Sequence, residues 1–208
     1  MPGGRDIAPI LNELLSLPFK LKIATRDFHP PDHISFATAH HPPNNIAFES
    51  TVDIVNPQDN TQQYTIPLWP PHCVQGTQGV EIIPQLHVSK IDIILNKGRD
   101  KRLETFSGFA DVFGLQDSEA IDLNLARALR TKGITHVFTV GLAGDYCVKC
   151  TALDACKEGF EVFVVQEAVK SIQSGESGWG EARRQMEEKG IHIVAFDGPE
   201  VDMVRRLG

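Results

Sequence analysis

Apolar positions along the chain recur with two periods. In residues 5–17, Ile7, Ile10, Leu11, Leu14 and Leu15 fall on one face at helical spacing, and the pattern stops before Pro18. This predicts an amphipathic helix. Residues 21–25 read as a short strand, as do the apolar runs 91–95, 136–140, 162–165 and 191–195. Helical spacing and capping residues mark helices over 118–131, 146–158 and 178–189, with at most a short final helix at 201–206. Strand followed by helix, repeated, predicts an α/β fold in which a mainly parallel, open, Rossmann-like sheet lies between helices in three α/β/α layers.

Two stretches depart from that rhythm. Residues 26–69 are rich in Pro, Asn and Gln, with Pro30-Pro31 and Pro42-Pro43, so 41–68 reads as a loop-rich insertion. So long a loop is uncommon without a function of its own. The chain also opens on its helix, with no strand before it, and shows no internal repeat.

Composition narrows the class. At 208 residues and 41% hydrophobic, the sequence suits one domain over 1–208. No apolar run is long enough to span a bilayer and the N-terminus lacks a signal-peptide core, which predicts a soluble cytoplasmic or nuclear protein without a membrane partner. The net charge of −7 comes from interspersed acids and bases, without the Lys/Arg clusters that nucleic acid would need. Four cysteines in this length do not make a disulfide scaffold, so reduced thiols are expected. The oligomeric state is left open, a homo-oligomer included.

Three groups of residues carry chemistry. In Val140-Gly141-Leu142-Ala143-Gly144-Asp145-Tyr146-Cys147-Val148, a predicted strand runs through small residues into a helix that opens at a cysteine. The unpaired amides and positive dipole end of a helix start stabilise a thiolate, and the same amides can receive an oxyanion. Cys147 alone would read as a small buried hydrophobe, and with Cys150 as a redox C-x-x-C, although neither Pro nor Gly lies between the two.

The second group is Arg26-Asp27-Phe28-His29, directly after a predicted strand. Asp27 and His29 are two apart, so in extended backbone they point the same way and can grip one cation. His72, fixed by Pro70-Pro71, is the candidate third ligand, and Asp plus two His leaves positions open for water or substrate. Cys73 is adjacent but points away in an extended segment, and His40, His41, His87, His136 and His192 have no comparable neighbours. Third, Lys97 ends an apolar strand, where its charge would favour a nearby thiolate. All three groups lie at predicted C-terminal strand ends, which border the ligand crevice of an open parallel sheet.

These residues together resemble the isochorismatase-like cysteine hydrolases, and within them the fungal type of nicotinamidase. The likeness rests on Arg26-Asp27-Phe28-His29 with His33-Ile34-Ser35-Phe36, on Leu68-Trp69-Pro70-Pro71-His72-Cys73-Val74, on Lys97-Gly98, and on Gly141-Leu142-Ala143 leading to Tyr146-Cys147-Val148. The resemblance implies hydrolysis of a small-molecule substrate, nicotinamide, to nicotinic acid and ammonia for NAD salvage, through a thioester on Cys147. It further implies an oxyanion hole from the Ala143 and Cys147 amides, with a cis bond between Leu142 and Ala143. Lys97 would act in catalysis, and Asp27, His29 and His72 would hold Zn²⁺ or another divalent metal, with Ser35 a water-mediated neighbour. Trp69 and Tyr146 would wall the pocket.

One departure bears on activity. The family begins with an apolar strand ending in the general-base Asp, ahead of a Pro-Gly-Gly helix like Pro2-Gly3-Gly4. No acid here matches that base, Asp6 included. The expectation is either a shortened nicotinamidase sequence or a chain with turnover lowered about 10²–10⁴-fold. The competing reading is a non-catalytic metal- or ligand-binding relic of the same fold, or another amidohydrolase of the family.

Overall fold

Proline sets both ends of the first helix. In the computed structural model, which describes Met1 and residues 3–208, α1 (Ala8–Ser16) starts with Pro9 in its first turn, where a missing N–H costs nothing. It stops at Leu17, whose extended backbone is what a residue before proline prefers. Pro2 of the expected Pro-Gly-Gly opening lies outside the described residues.

The chain continues through β1 (Ile23–Asp27), β2 (Thr51–Asn56), β3 (Asp59–Pro67), β4 (Ile93–Lys97), α2 (Leu125–Thr131), β5 (His136–Leu142) and α3 (Lys149–Lys157). It ends with β6 (Glu161–Lys170), α4 (Glu181–Glu187), β7 (His192–Val194) and α5 (Pro199–Arg205). The expected α/β fold is present: β6 pairs in parallel with β5 and with β7, and helices connect these strands. β1 pairs with β4, and β2 pairs with β3, in separate ladders.

The chain forms two compact units. The first comprises Met1–Ala24, Ile83–Ile94 and Leu125–Gly208. Its core gathers Leu14, Phe163, Val165, Ala168, Val194 and Val201. β6 is the middle strand of three, and its run from Val162 to Val165 is buried throughout, which explains why it reads as continuously apolar rather than alternating.

The second unit comprises Thr25–Ile82 and Leu95–Asn124. Here the structure corrects the loop-rich reading of 41–68, because β2 and β3 form an antiparallel hairpin within it. One face buries Ile54 and Ile66 against Leu103, while Asp53 and Thr65 pair across the other at 2.6 Å. Polar residues on the open face and Pro57 in the turn hide a period-two pattern, yet two fully buried isoleucines contribute about 1.5–3 kcal/mol each.

A second correction concerns α2, which is helical only from Leu125, not from 118. The preceding segment instead pairs with β4: Ile121 bridges Lys97, the Asp122 N–H donates to the Asn96 carbonyl, and the Asn96 N–H returns to the Asp122 carboxylate.

Candidate active site

β1 and β4 end side by side in sequence logic and in hydrogen bonding: the Phe28 N–H donates to the Lys97 carbonyl at 2.8 Å. Asp27 closes β1, and His29 follows it with the same orientation. The expected third ligand is brought in by backbone pairing. The His29 N–H donates to the Cys73 carbonyl and the Gln75 N–H to the His29 carbonyl, so His72-Cys73-Val74 runs beside His29. Farther back, Phe36 bridges Trp69, and Pro70-Pro71 rigidly spans the two pairing points.

Asp27, His29 and His72 thereby place one ligand atom each within 4.8 Å of one another. The nitrogen that each imidazole does not offer is engaged: His29 Nδ1 lies 2.9 Å from the Gly98 carbonyl and His72 Nδ1 lies 2.9 Å from the Pro70 carbonyl. A carbonyl can only accept, so each Nδ1 carries the proton and each Nε2 keeps a lone pair for a cation. Burial drives His29 below the ordinary imidazole range, against the opposing pull of Asp27 and Glu104, which favours that neutral ligand form.

Asp27 divides its two oxygens. Oδ1 takes the Lys97 ammonium at 2.6 Å, and Oδ2 faces His72 Nε2 at 3.9 Å. Burial works to raise this carboxyl, but Lys97, His29 and His72 outweigh it and hold it down to about 2, so it is ionised at neutral pH. Lys97 is not the snorkelling surface lysine that a strand end usually carries. It is 2% exposed and also donates to the Thr105 carbonyl at 2.7 Å. One carboxylate oxygen and two imidazole nitrogens with open positions beside them suit a divalent cation.

Two residues without an assigned role in the sequence support this group. The His33 ring lies tilted against His29 with centroids 4.1 Å apart, and burial pushes it down to about 4. Its Nε2 donates to the Leu103 carbonyl and its Nδ1 accepts from the Ser35 hydroxyl at 2.7 Å. The Ser35 hydroxyl is therefore engaged with His33. Glu104 is the second, a buried carboxylate whose charge opposes the loss of basicity at both imidazoles. In the sequence His33 appeared only within the motif His33-Ile34-Ser35-Phe36, and Glu104 carried no signal.

Cys73 stays outside the ligand set. Burial, reinforced by Asp27, pushes its thiol up to about 11. Trp69 is nearly buried, and Phe48 meets its ring edge-on at 5.7 Å.

The cysteine turn belongs to the first unit. β5 ends at Leu142, and the Leu142–Ala143 bond is cis. The structure corrects the helix start, which was expected at 146. The Ala143 carbonyl accepts from both the Tyr146 and Val148 N–H groups, at 3.1 and 3.0 Å. This widens Gly144–Val148 into a π-turn and delays the regular helix α3 to Lys149. Cys147 therefore sits within the wide turn, half-buried beside half-buried Tyr146, while Ala143 is buried at its start.

Residues 34–195 match the isochorismatase domain. The nicotinamidase of Schizosaccharomyces pombe is 33% identical over 204 residues, which span 97% of this chain and 87% of that protein. The solved structure of the yeast nicotinamidase bound to the inhibitor nicotinaldehyde aligns with a TM-score of 0.83 at 26% identity, covering 94% of this chain and 90% of that one. The pyrazinamidase of Pyrococcus horikoshii in complex with zinc aligns at 0.69 with 35% identity, covering 94% and 88%.

Proposed function

We propose, from the premise that this chain belongs to the isochorismatase domain family, that it is a nicotinamidase hydrolysing nicotinamide to nicotinic acid and ammonia. The observation that carries this reading is the donor set of Asp27, His29 and His72, with both Nδ1 protons engaged by carbonyls and Asp27 paired with Lys97. The relatives named as nicotinamidases support it.

In this reading the Cys147 thiolate attacks the carboxamide carbon, and the Ala143 and Cys147 amides receive the developing oxyanion. The carbon–nitrogen bond breaks, the nitrogen leaves as ammonia with the thiol's proton, and a thioester remains on Sγ. Water then cleaves the carbon–sulfur bond, releasing nicotinic acid and restoring the thiol. Asp27, His29 and His72 would hold Zn²⁺, and the structure of the Pyrococcus relative is a complex with zinc. Zinc held there would supply a Lewis acid for the pyridine nitrogen of the substrate. Lys97 keeps the Asp27 carboxylate charged and fixed.

The test is ammonia release from nicotinamide by the zinc-loaded protein and by its His72→Ala variant. Release by the parent and its loss in the variant are expected. Zinc and nicotinamide binding without any release would favour a non-catalytic relic.

A further inference from the structure

The turn that carries Cys147 is held from outside by the chain that follows β6. Asp145 stands two residues before Cys147 and is 8% exposed. At the start of a helix a carboxylate normally receives N–H groups of its own turn. Asp145 instead reaches across the unit: its Oδ1 accepts the Ile172 N–H at 3.0 Å and its Oδ2 the Gln173 N–H at 2.9 Å.

The crossing segment is itself tied down and lies directly on the turn. The Gln173 carbonyl accepts the Trp179 N–H at 2.9 Å. At Gly144 a Cβ would stand 2.6 Å from Val169 Cγ1 and 2.9 Å from Trp179 Cε3, and would run into the Ser171 hydroxyl. No side chain fits between turn and strap. Asp145 therefore closes a ring of contacts from Gly144 through Trp179 and Gln173 back to itself.

A buried carboxylate is costly unless its oxygens are satisfied. Two backbone donors satisfy it here. We propose that Asp145 is a positioning residue, which by clamping residues 172 and 173 fixes where Cys147 Sγ stands. This rests on the reading of Cys147 as nucleophile.

The test is the rate at which iodoacetamide alkylates Cys147 across neutral pH, followed by mass spectrometry of the zinc-loaded protein, with Cys156 as internal control. Asp145→Asn loses one of the two bonds and the negative charge. Removal of the charge alone would speed alkylation, whereas release of the turn slows it, and a slowing of about tenfold is expected with Cys156 unchanged. A parental or faster Cys147 rate overturns the proposal. Should Asp145→Asn not fold, Asp145→Glu, which keeps the charge but displaces it, decides: slower alkylation supports the clamp and a parental rate overturns it. Alkylation needs no turnover, so ammonia release by a Cys147→Ala variant would refute the nucleophile reading separately.

Discussion

Lys97 Nζ stands 2.6 Å from Asp27 Oδ1, and the same ammonium is 2.7 Å from the Thr105 carbonyl, so a lysine with almost no exposed surface has both a charge partner and a neutral acceptor. The Asp27 charge is thus partly balanced from within the protein. Its remaining oxygen faces His72.

Lys97→Met should strip that support. Breaking a buried pair by removing one partner costs about 3–5 kcal/mol, and because Asp27 keeps a partly open edge, about 2–4 kcal/mol is expected in metal-free protein. Urea unfolding measures it. With zinc added the loss should shrink, since the cation replaces part of the missing charge at Asp27.

Gly98→Ala should weaken metal binding without replacing a ligand residue. Gly98 has φ +67, and a Cβ there would stand 2.6 Å from His29 Nδ1 and press into the ring. His29 must shift, and its bond to the Gly98 carbonyl is lost with it. Metal affinity should fall about 10–100-fold, as for loss of other groups that orient a ligand. Zinc content after dialysis against a competing chelator reads the change, with His72→Ala as the comparison for outright ligand loss.

The grouping of Asp27, His29 and His72 was legible because its signals are local. Asp27 and His29 sit at strand spacing, and Pro70-Pro71 marks the rigid approach to His72. His33 and Glu104 were not legible as supports, since what they do depends on ring contact and on charge brought together from residues about seventy apart. The helices were found where apolar spacing was strong, as in α1. They were misplaced where a carbonyl or a strand competed for the backbone: Ala143 widens the turn before α3, and β4 captures the residues before α2. The β2–β3 hairpin was hidden by its polar outer face, although Ile54 and Ile66 keep the inner alternation. Nothing in the sequence singled out Asp145, and only the fold shows that its partners are Ile172 and Gln173.

Asp100 gives a pH dependence away from the ligands. Its carboxylate accepts the Arg102 side chain at 3.0 and 2.7 Å and the Arg102 N–H at 2.9 Å. The Arg102 hydrogen bonds hold it below the usual carboxylate range, so the stability it contributes is present above the unfolded-state value near 3.8 and is lost as pH falls below it. Asp100→Asn should cost about 1 kcal/mol at neutral pH, where the partner arginine is solvent-screened. Urea midpoints of parent and variant should converge in acid, and a gap that persists there would mean the loss is not one of charge.

The central chemical claim is a covalent bond between Cys147 Sγ and the acyl carbon of the substrate. Rapid acid quenching of the zinc-loaded protein during reaction with nicotinamide, followed by peptide mass spectrometry, tests it most directly. A nicotinoyl thioester on the peptide containing Cys147, absent in Cys147→Ala together with ammonia release, is the predicted result. Ammonia released at an undiminished rate by Cys147→Ala would contradict it.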